Sequence, residues 1–389
     1  MVQPGDSMAL GRLVQCCRFL LHEPKKGLFS GILRPGWIEG CAGAKRHLLT
    51  EDVIKLQDFQ RKKLAVAYRV AGAKENYIKQ FSQKLQKKEL ILRDELKLLL
   101  HLCQSKDDMV IARDAIYRYY SENKTVLYGE FRFGPLFMRL CYELGLEEMA
   151  ADTIKDESIK GFFSDSTSFN IAIDMLFSKG AYENALEVLR TMRSHGVTFN
   201  KDTLMLACGT CYKLNTPESY RICRTLIEEA HSKEQFILRN AYCFAVALAI
   251  RQNDTDTAQT LYSYIFNTES KLCRNLKVLL LTISGEVEEA VSILSAATLQ
   301  KSPSFVKKPE FCQEVVDLLQ LRTENGPYMM RVEQIVSQLV QTGQVIQQTL
   351  DDVLCYTPPV KRKPVLVMQE RRTISRRTLR PLQSTLLSE

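Results

Sequence analysis

Two cysteines in this sequence have a spacing that metal and redox sites use. Cys208 and Cys211 form a Cys-x-x-Cys pair, which occurs in zinc sites and in thiol–disulfide motifs. A zinc site needs a second such pair or two closely spaced histidines, and neither follows. Because free cysteine packs like a small hydrophobic residue, we predict that both are core residues. The sequence therefore predicts no metal site and no cofactor. It also predicts that the protein resides in a reducing compartment, where cysteines stay free.

Residues that could support catalysis are scattered. The five histidines lie apart from one another, and none accompanies a nucleophile motif. The sequence has no phosphate-binding P-loop and no glycine-rich dinucleotide turn. Asp351 and Asp352 are adjacent, which is typical of a helix surface rather than of a carboxylate site. These patterns favour a protein that is not an enzyme.

The elements that must position any site are helices. The chain of 389 residues is 45% apolar and 25% charged, as soluble globular proteins are. Apolar residues at helical spacing cover most of residues 50–354. The longest apolar run, 241–250, is too short to span a bilayer, so no membrane span is predicted.

The stretch 169–200 encodes two helices, each followed by a stop. Apolar residues recur every three or four positions before Gly180 and again before Gly196. Glycine ends a helix because it accepts the left-handed backbone that a helix stop requires. Ala185 is small at the point where the two helices should cross. The spacing predicts a helical hairpin with short turns.

The same pattern recurs along the chain. Gly145 and Ala150 repeat the spacing of Gly180 and Ala185, 35 residues earlier, and later stretches 253–258 and 285–290 repeat it again. We count about six units between Leu92 and Thr298. A hairpin of this kind buries its apolar faces only by stacking on neighbours. The predicted fold is all-α: an α-solenoid, or superhelix, of hairpins with capping helices at both ends.

The best unit resembles the pentatricopeptide repeat. The matching positions lie in residues 166–200: Phe169-Asn170, Asp174, Gly180, Glu183, Ala185-Leu186, Met192, Gly196 and Asn200. The family usually has proline before the last residue of the repeat, where this chain has Phe199. The resemblance implies a solenoid in which each repeat recognises one base of single-stranded RNA.

By that resemblance, the base-recognition positions are Asn170 and Asn200, a pair that implies a pyrimidine. A carboxamide carries both a donor and an acceptor for the edge of an unstacked base. Alternatively, Asn170 caps a helix and Asn200 ends a turn. Counting from Gly285 places Asn275 at the equivalent of Asn170, with Phe305 as its partner.

Other units carry weaker pairs. The unit around Asn253 places Cys243 and Cys273 at the two positions, and the unit around Gly145 places Pro135 at the first of them. We therefore expect RNA binding that is assisted by shape or by partners, rather than recognition of a row of bases.

The C-terminal tail, residues 356–389, is basic. It holds eight basic and two acidic residues, so residues 1–355 carry only +2 of the total net charge of +8. Lys and Arg contact phosphates without regard to sequence, which makes the tail a candidate RNA-binding segment through Arg371, Arg372, Arg376 and Arg377. The alternatives are a solvated flexible end or, for Lys361–Pro364, a nuclear import signal.

The N-terminus has the composition of a mitochondrial transit peptide. Between Met8 and Trp37 it is basic, nearly free of acids and amphipathic. The predicted organisation is a transit peptide or a disordered segment at 1–49, an N-terminal helical cap at 50–105, repeats at 106–300, a C-terminal helical cap at 301–355 and the tail. The predicted location is the mitochondrial matrix.

Two functional hypotheses follow. The first is a non-catalytic protein that binds single-stranded mitochondrial RNA and helps to process or stabilise respiratory-chain mRNA, with RNA-processing proteins as partners. The second is a scaffold on the small subunit of the mitochondrial ribosome, where the repeats hold protein or rRNA.

Overall fold

Helices dominate the structure, a computed structural model that describes residues 47–70, 72, 74–123, 132–299 and 308–356. These residues form eighteen α-helices and one pair of two-residue strands. The predicted all-α class is confirmed. In this part of the chain, no helix is both long and apolar enough to cross a membrane.

Five helices precede the series of hairpins that begins at Gly134. Helix α1 is one turn long, and Gly72, between α2 and α3, lies in a turn. Their bounds are α1 Glu51–Ile54, α2 Leu56–Val70, α3 Lys74–Gln86, α4 Arg93–Leu102 and α5 Lys106–Glu122.

Five hairpins follow, each built from a first and a second helix. The bounds are α6 Gly134–Leu144 with α7 Glu147–Lys155, α8 Ser166–Lys179 with α9 Tyr182–Ser194, α10 Lys201–Leu214 with α11 Pro217–Ser232, α12 Arg239–Arg251 with α13 Thr255–Ser263, and α14 Lys271–Ser284 with α15 Val287–Leu299. Together with α4 and α5, they make six units, in agreement with the count of about six from the sequence.

The predicted helix stops have the expected geometry. Gly180 has a φ of 81° and its N–H reaches back to the carbonyls of α8. Asn253 has a φ of 60° and replaces glycine at the same point of a later unit. Ala185 is fully buried where α9 crosses α8. These observations confirm the hairpin prediction for residues 169–200.

The hairpins stack in two layers. The first helices contact one another in series from α6 through α8, α10, α12 and α14 to α16. Second helices form the other layer, in which α7 contacts α9 and α15 contacts α17. We call the side of the first-helix layer that faces away from the second helices the first-helix face.

The C-terminal segment differs in detail from the predicted run of helices. Helices α16 Gln313–Thr323, α17 Met329–Gln341 and α18 Leu350–Leu354 are present, but Phe311–Cys312 (β1) and Val345–Ile346 (β2) are extended and pair in parallel. The helical spacing from Val345 onward predicts a longer helix than forms. The extended segments are held by hydrogen bonds to distant residues, which outweigh local periodicity.

Candidate nucleic-acid interface

The structure brings Asn170 and Asn200 together. Asn170 lies in the first turns of α8, and Asn200 is the N-cap of α10. The Asn170 Nδ2 donates to the Asn200 Oδ1 at 3.2 Å, and the Thr203 hydroxyl donates to the Asn170 Oδ1 at 2.7 Å. The two positions that the family uses for one base are therefore neighbours here.

Both side-chain amides form hydrogen bonds to other groups of the chain. The Asn200 Oδ1 accepts the backbone N–H groups of Asp202 and Thr203 at 3.0 and 2.9 Å, which is helix capping. Its Nδ2 donates to the Ser166 hydroxyl at 2.9 Å. Asn170 is 1% exposed. A base could reach this pair only if some of these hydrogen bonds were exchanged.

Asn275 lies in a different environment, three first helices further along in α14. Its Nδ2 donates to the Glu310 carbonyl, and its Oδ1 accepts the Cys312 N–H, both at 2.8 Å. The side chain is fully buried. Asn275 thus holds β1 against α14 and does not join the Asn170–Asn200 cluster. Phe305 lies outside the described residues.

The same register recurs at a pair of cysteines. The sulfurs of Cys243 in α12 and Cys273 in α14 lie 3.8 Å apart and are buried. A hydrogen bond shared with Cys273, together with burial, raises the pKa of Cys243 well above its usual value. Cysteine side chains lack the paired donor and acceptor with which a carboxamide recognises a base. Cys208 and Cys211 are also fully buried, in α10.

A segment from the N-terminal side covers part of the first-helix face. We call residues 47–54 the N-terminal strap. The buried Asp174 carboxylate accepts the backbone N–H groups of Leu48 and Leu49 at 2.7 and 3.1 Å, and His47 Nδ1 lies 2.9 Å from it. Asp174 follows Asn170 by one helical turn, so the strap lies on the side of α8 that carries Asn170.

Two more contacts fix the strap. Arg139 in α6 donates from its Nε to the Ile54 carbonyl at 2.6 Å. Gly209 in α10 gives Leu48 room, because a Cβ at this glycine would lie 2.8 Å from the Leu48 Cδ1. The strap therefore bridges three successive first helices.

A second segment covers the other end of this face. We call residues 344–355, which include β2 and α18, the C-terminal strap. Helix α18 contacts α12 and α14. The Lys213 ammonium lies 2.7 and 2.5 Å from the two Asp351 oxygens. Glu314 accepts the Leu350 N–H at 3.1 Å, and burial raises the pKa of Glu314.

The two straps explain why the first helices are buried on every side. Residues 168–177 of α8, 203–212 of α10 and 243–250 of α12 are buried without a break. A helix that is apolar all round needs cover on all sides. The sequence signal for the straps was the long, mostly apolar run in each of these helices, which an analysis of one apolar face per helix does not use.

Several predicted features lie outside the described residues. They are the transit peptide up to residue 46 and the tail arginines Arg371, Arg372, Arg376 and Arg377. Leu48 and Leu49, which the sequence interpretation placed in the transit peptide, are buried in the strap. Within the described part of the chain, no cluster of three or more histidine, cysteine or acidic residues has the geometry of a metal site.

Stacked two-helix units that bring together residues at equivalent positions of successive units define a helical-repeat solenoid. A family model described as pentatricopeptide repeat-containing protein matches residues 138–265. Three relatives, each named "pentatricopeptide repeat-containing protein 2, mitochondrial", match almost the whole chain. The Danio rerio protein is 50% identical over 98% of this chain and 100% of its own length, the Xenopus laevis protein 48% over 89% and 91%, and the Homo sapiens protein 47% over 89% of each.

The chain therefore belongs to the pentatricopeptide repeat family. It is a mitochondrial protein, as its relatives in fish, frog and human are named. Proteins of this family are generally non-enzymatic and bind RNA through their helical repeats.

Proposed function

We propose that this chain is a non-catalytic RNA-binding protein of the mitochondrial matrix, which helps to process or stabilise respiratory-chain mRNA. The observation that carries the proposal is the contact between Asn170 and Asn200 at 3.2 Å, at the register where the family recognises a base. Membership of the family supports it. RNA-processing proteins would supply any cleavage chemistry.

The proposed mode of binding is one base contact supported by many phosphate contacts. The other described pairs, such as Cys243 with Cys273, offer little to a base. Asn170 and Asn200 would contact one pyrimidine after the N-terminal strap moves away from Asp174. Phosphate contacts would supply most of the affinity, and the tail arginines Arg371, Arg372, Arg376 and Arg377 remain candidates for part of it.

The straps also favour a second candidate function. A first-helix face that is filled by the chain itself suits a scaffold that offers its outer surfaces to the small subunit of the mitochondrial ribosome. In that case, Asn170 and Asn200 would have only the structural role of holding α8 to α10.

Crosslinking of RNA to the protein in isolated mitochondria tests the first function. The proposal expects a discrete set of mRNA sites that share a pyrimidine at one position, and this preference is lost when Asn170 and Asn200 are both changed to Ala. Asn200→Ser is the matched control for folding, because serine still caps α10 but lacks the amide. Discrete sites that persist unchanged in the double variant would contradict a base contact at this pair.

Sedimentation of mitochondrial lysates separates the two functions. The scaffold predicts co-migration with ribosomal subunits whether or not Asn170 and Asn200 are present. An RNA-processing role predicts that the protein stays in lighter fractions and that its mRNA crosslinks do not depend on intact ribosomes.

A further inference from the structure

The charge of the described chain is divided very unevenly. Residues 55–88, which span α2 and α3, hold ten basic residues and two acidic ones, a net charge of +8. The described residues from 89 to 356 hold 25 basic and 35 acidic residues, a net charge of −10. We call residues 55–88 the basic hairpin. The near-neutral sum over residues 1–355 conceals it.

Four of the ten basic side chains are engaged with acidic partners. Lys63 reaches Glu143 in α6 at 2.6 Å, and Lys84 reaches Glu95 in α4 at 2.7 Å. These two pairs hold the hairpin to the following helices. Arg61 pairs with Asp58, and Lys74 lies 3.9 Å from Asp108.

The other six basic side chains are exposed. Within the described residues they have no ion-pair partner, so their charge is available to a ligand. They are Lys55, Lys62, Arg69, Lys79, Lys87 and Lys88. Lys62 and Arg69 are seven residues apart, which places them on one side of α2.

An aromatic side chain stands beside these charges. Tyr68, next to Arg69, is 87% exposed, and Leu64, one turn earlier, is 71% exposed. An exposed aromatic ring among basic residues is how sequence-tolerant proteins bind single-stranded nucleic acid: the bases stack on the ring and the cations follow the phosphates. A Tyr68 with no packing role in the described chain fits that use.

An anionic membrane would be the other polyanion for such a surface. Helices that lie on membranes bury a broad apolar face in the lipid. Here Phe59 of α2 and Ile78 and Phe81 of α3 are buried in the protein core. Two exposed apolar side chains do not form a broad face, so the arrangement favours RNA.

We propose that the basic hairpin is the main phosphate-binding surface for single-stranded RNA, with Tyr68 stacking on a base. The proposal rests on the RNA-binding function above and names the surface that supplies its affinity. Because the contacts are to phosphates and to the face of a base, binding at this surface is independent of sequence. The basic hairpin is also exposed to solvent while the two straps cover the first-helix face.

The test uses the full chain and a fluorescein-labelled uridine 20-mer, followed by anisotropy. The variant K62E/R69E/K79E reverses three free charges of the hairpin. The control R221E/K233E/R331E makes the same change in net charge at exposed basic residues of α11, the segment after it, and α17. We expect at least a tenfold loss of affinity for the first and less than threefold for the second, with unchanged circular dichroism for both.

The salt dependence provides a second readout. Each phosphate contact to a single strand adds about 0.7 to the slope of log affinity against log salt. Loss of three contacts should therefore reduce the magnitude of the slope by about 2 in the hairpin variant and leave it unchanged in the control. A merely destabilised protein would lose binding-competent molecules without a change of slope.

The outcomes separate the two proposals. If the unmodified chain does not bind the 20-mer, the RNA-binding function itself fails. If the chain binds and the hairpin variant matches the control, only the surface proposed here is wrong. Binding to cardiolipin-containing vesicles that the hairpin variant loses, together with unchanged RNA binding, would assign the surface to membranes and overturn the proposal.

Discussion

The first-helix face and the basic hairpin differ in whether their polar side chains have partners within the chain. On the first-helix face, Asp174, Asn170 and Asn200 are all hydrogen-bonded within the chain, and two straps cover the apolar helices. On the hairpin, six basic side chains and Tyr68 are exposed and lack partners among the described residues. The residues that resemble the family motif are thus engaged within the chain, and the surface that is free to bind a ligand lies outside the motif.

This difference shows that a repeat can keep the residue spacing of its family while those residues bond to other groups of the chain. The unit 166–200 keeps the spacing of the family, and its two amides do meet. The same amides also cap α10 and join α8 to α10, so the motif residues have a structural role whether or not a base binds. Affinity for a polyanion depends instead on charges that are free of partners.

The largest expected effect concerns the anchor of the N-terminal strap. Asp174→Ala removes the acceptor for the Leu48 and Leu49 N–H groups and leaves both buried. We expect a loss of about 4 kcal/mol in the free energy of unfolding, because each buried donor loses a charge-assisted hydrogen bond. Urea denaturation measures it.

Asp174→Asn is the matched control, because it keeps one side-chain oxygen where both N–H groups bind. Its expected cost is about 1–2 kcal/mol. A cost below about 1 kcal/mol for Asp174→Ala would mean that the strap does not close the face in solution.

The next effect concerns Asn200. Asn200→Ala removes the cap of α10 and the bonds to Ser166 and Asn170, with an expected cost of about 2 kcal/mol. Asn200→Ser keeps an acceptor and should cost about half as much. In the anisotropy assay, neither change should lower affinity for the uridine 20-mer more than about threefold, since one base contact adds little to many phosphate contacts. A larger loss would place the main affinity at the closed face.

The sequence analysis succeeds where the signal is local. Helix stops at Gly180 and Asn253 and the hairpin spacing follow from residues at most about one repeat apart. The straps do not, since Leu48 and Asp174 are 126 residues apart and no periodicity links them. The basic hairpin was accessible from sequence, but a net charge summed over residues 1–355 cancels it against the acidic repeats.

A smaller effect tests the packing of the strap on α10. Gly209→Ala gains about 1 kcal/mol of helix propensity, but its Cβ would clash with Leu48, at a cost of about 2 kcal/mol. We therefore expect net destabilisation of about 1 kcal/mol in the unmodified chain. In a Leu48→Ala background the same change should stabilise by about 1 kcal/mol. If the sign does not reverse, Leu48 does not pack on Gly209.

The smallest effect concerns the C-terminal strap and depends on pH. Burial raises the pKa of Glu314. For an acid with a raised folded-state pKa, stability falls as the pH rises from the unfolded-state value through the folded-state value. Glu314→Gln should therefore stabilise the protein more at pH 7, where the glutamate is charged, than at pH 4. Thermal unfolding of both proteins at the two pH values measures the difference, and an equal shift at both would contradict the assignment.

Photocrosslinking with a 4-thiouridine-substituted uridine 20-mer, followed by peptide mass spectrometry, tests the central claim most directly. Our account predicts that the main crosslinked peptides come from residues 56–86 and include Tyr68, and that they persist in Asn170→Ala. Crosslinks confined to α8 and α10 would contradict it, because the closed face would then be the surface that binds RNA.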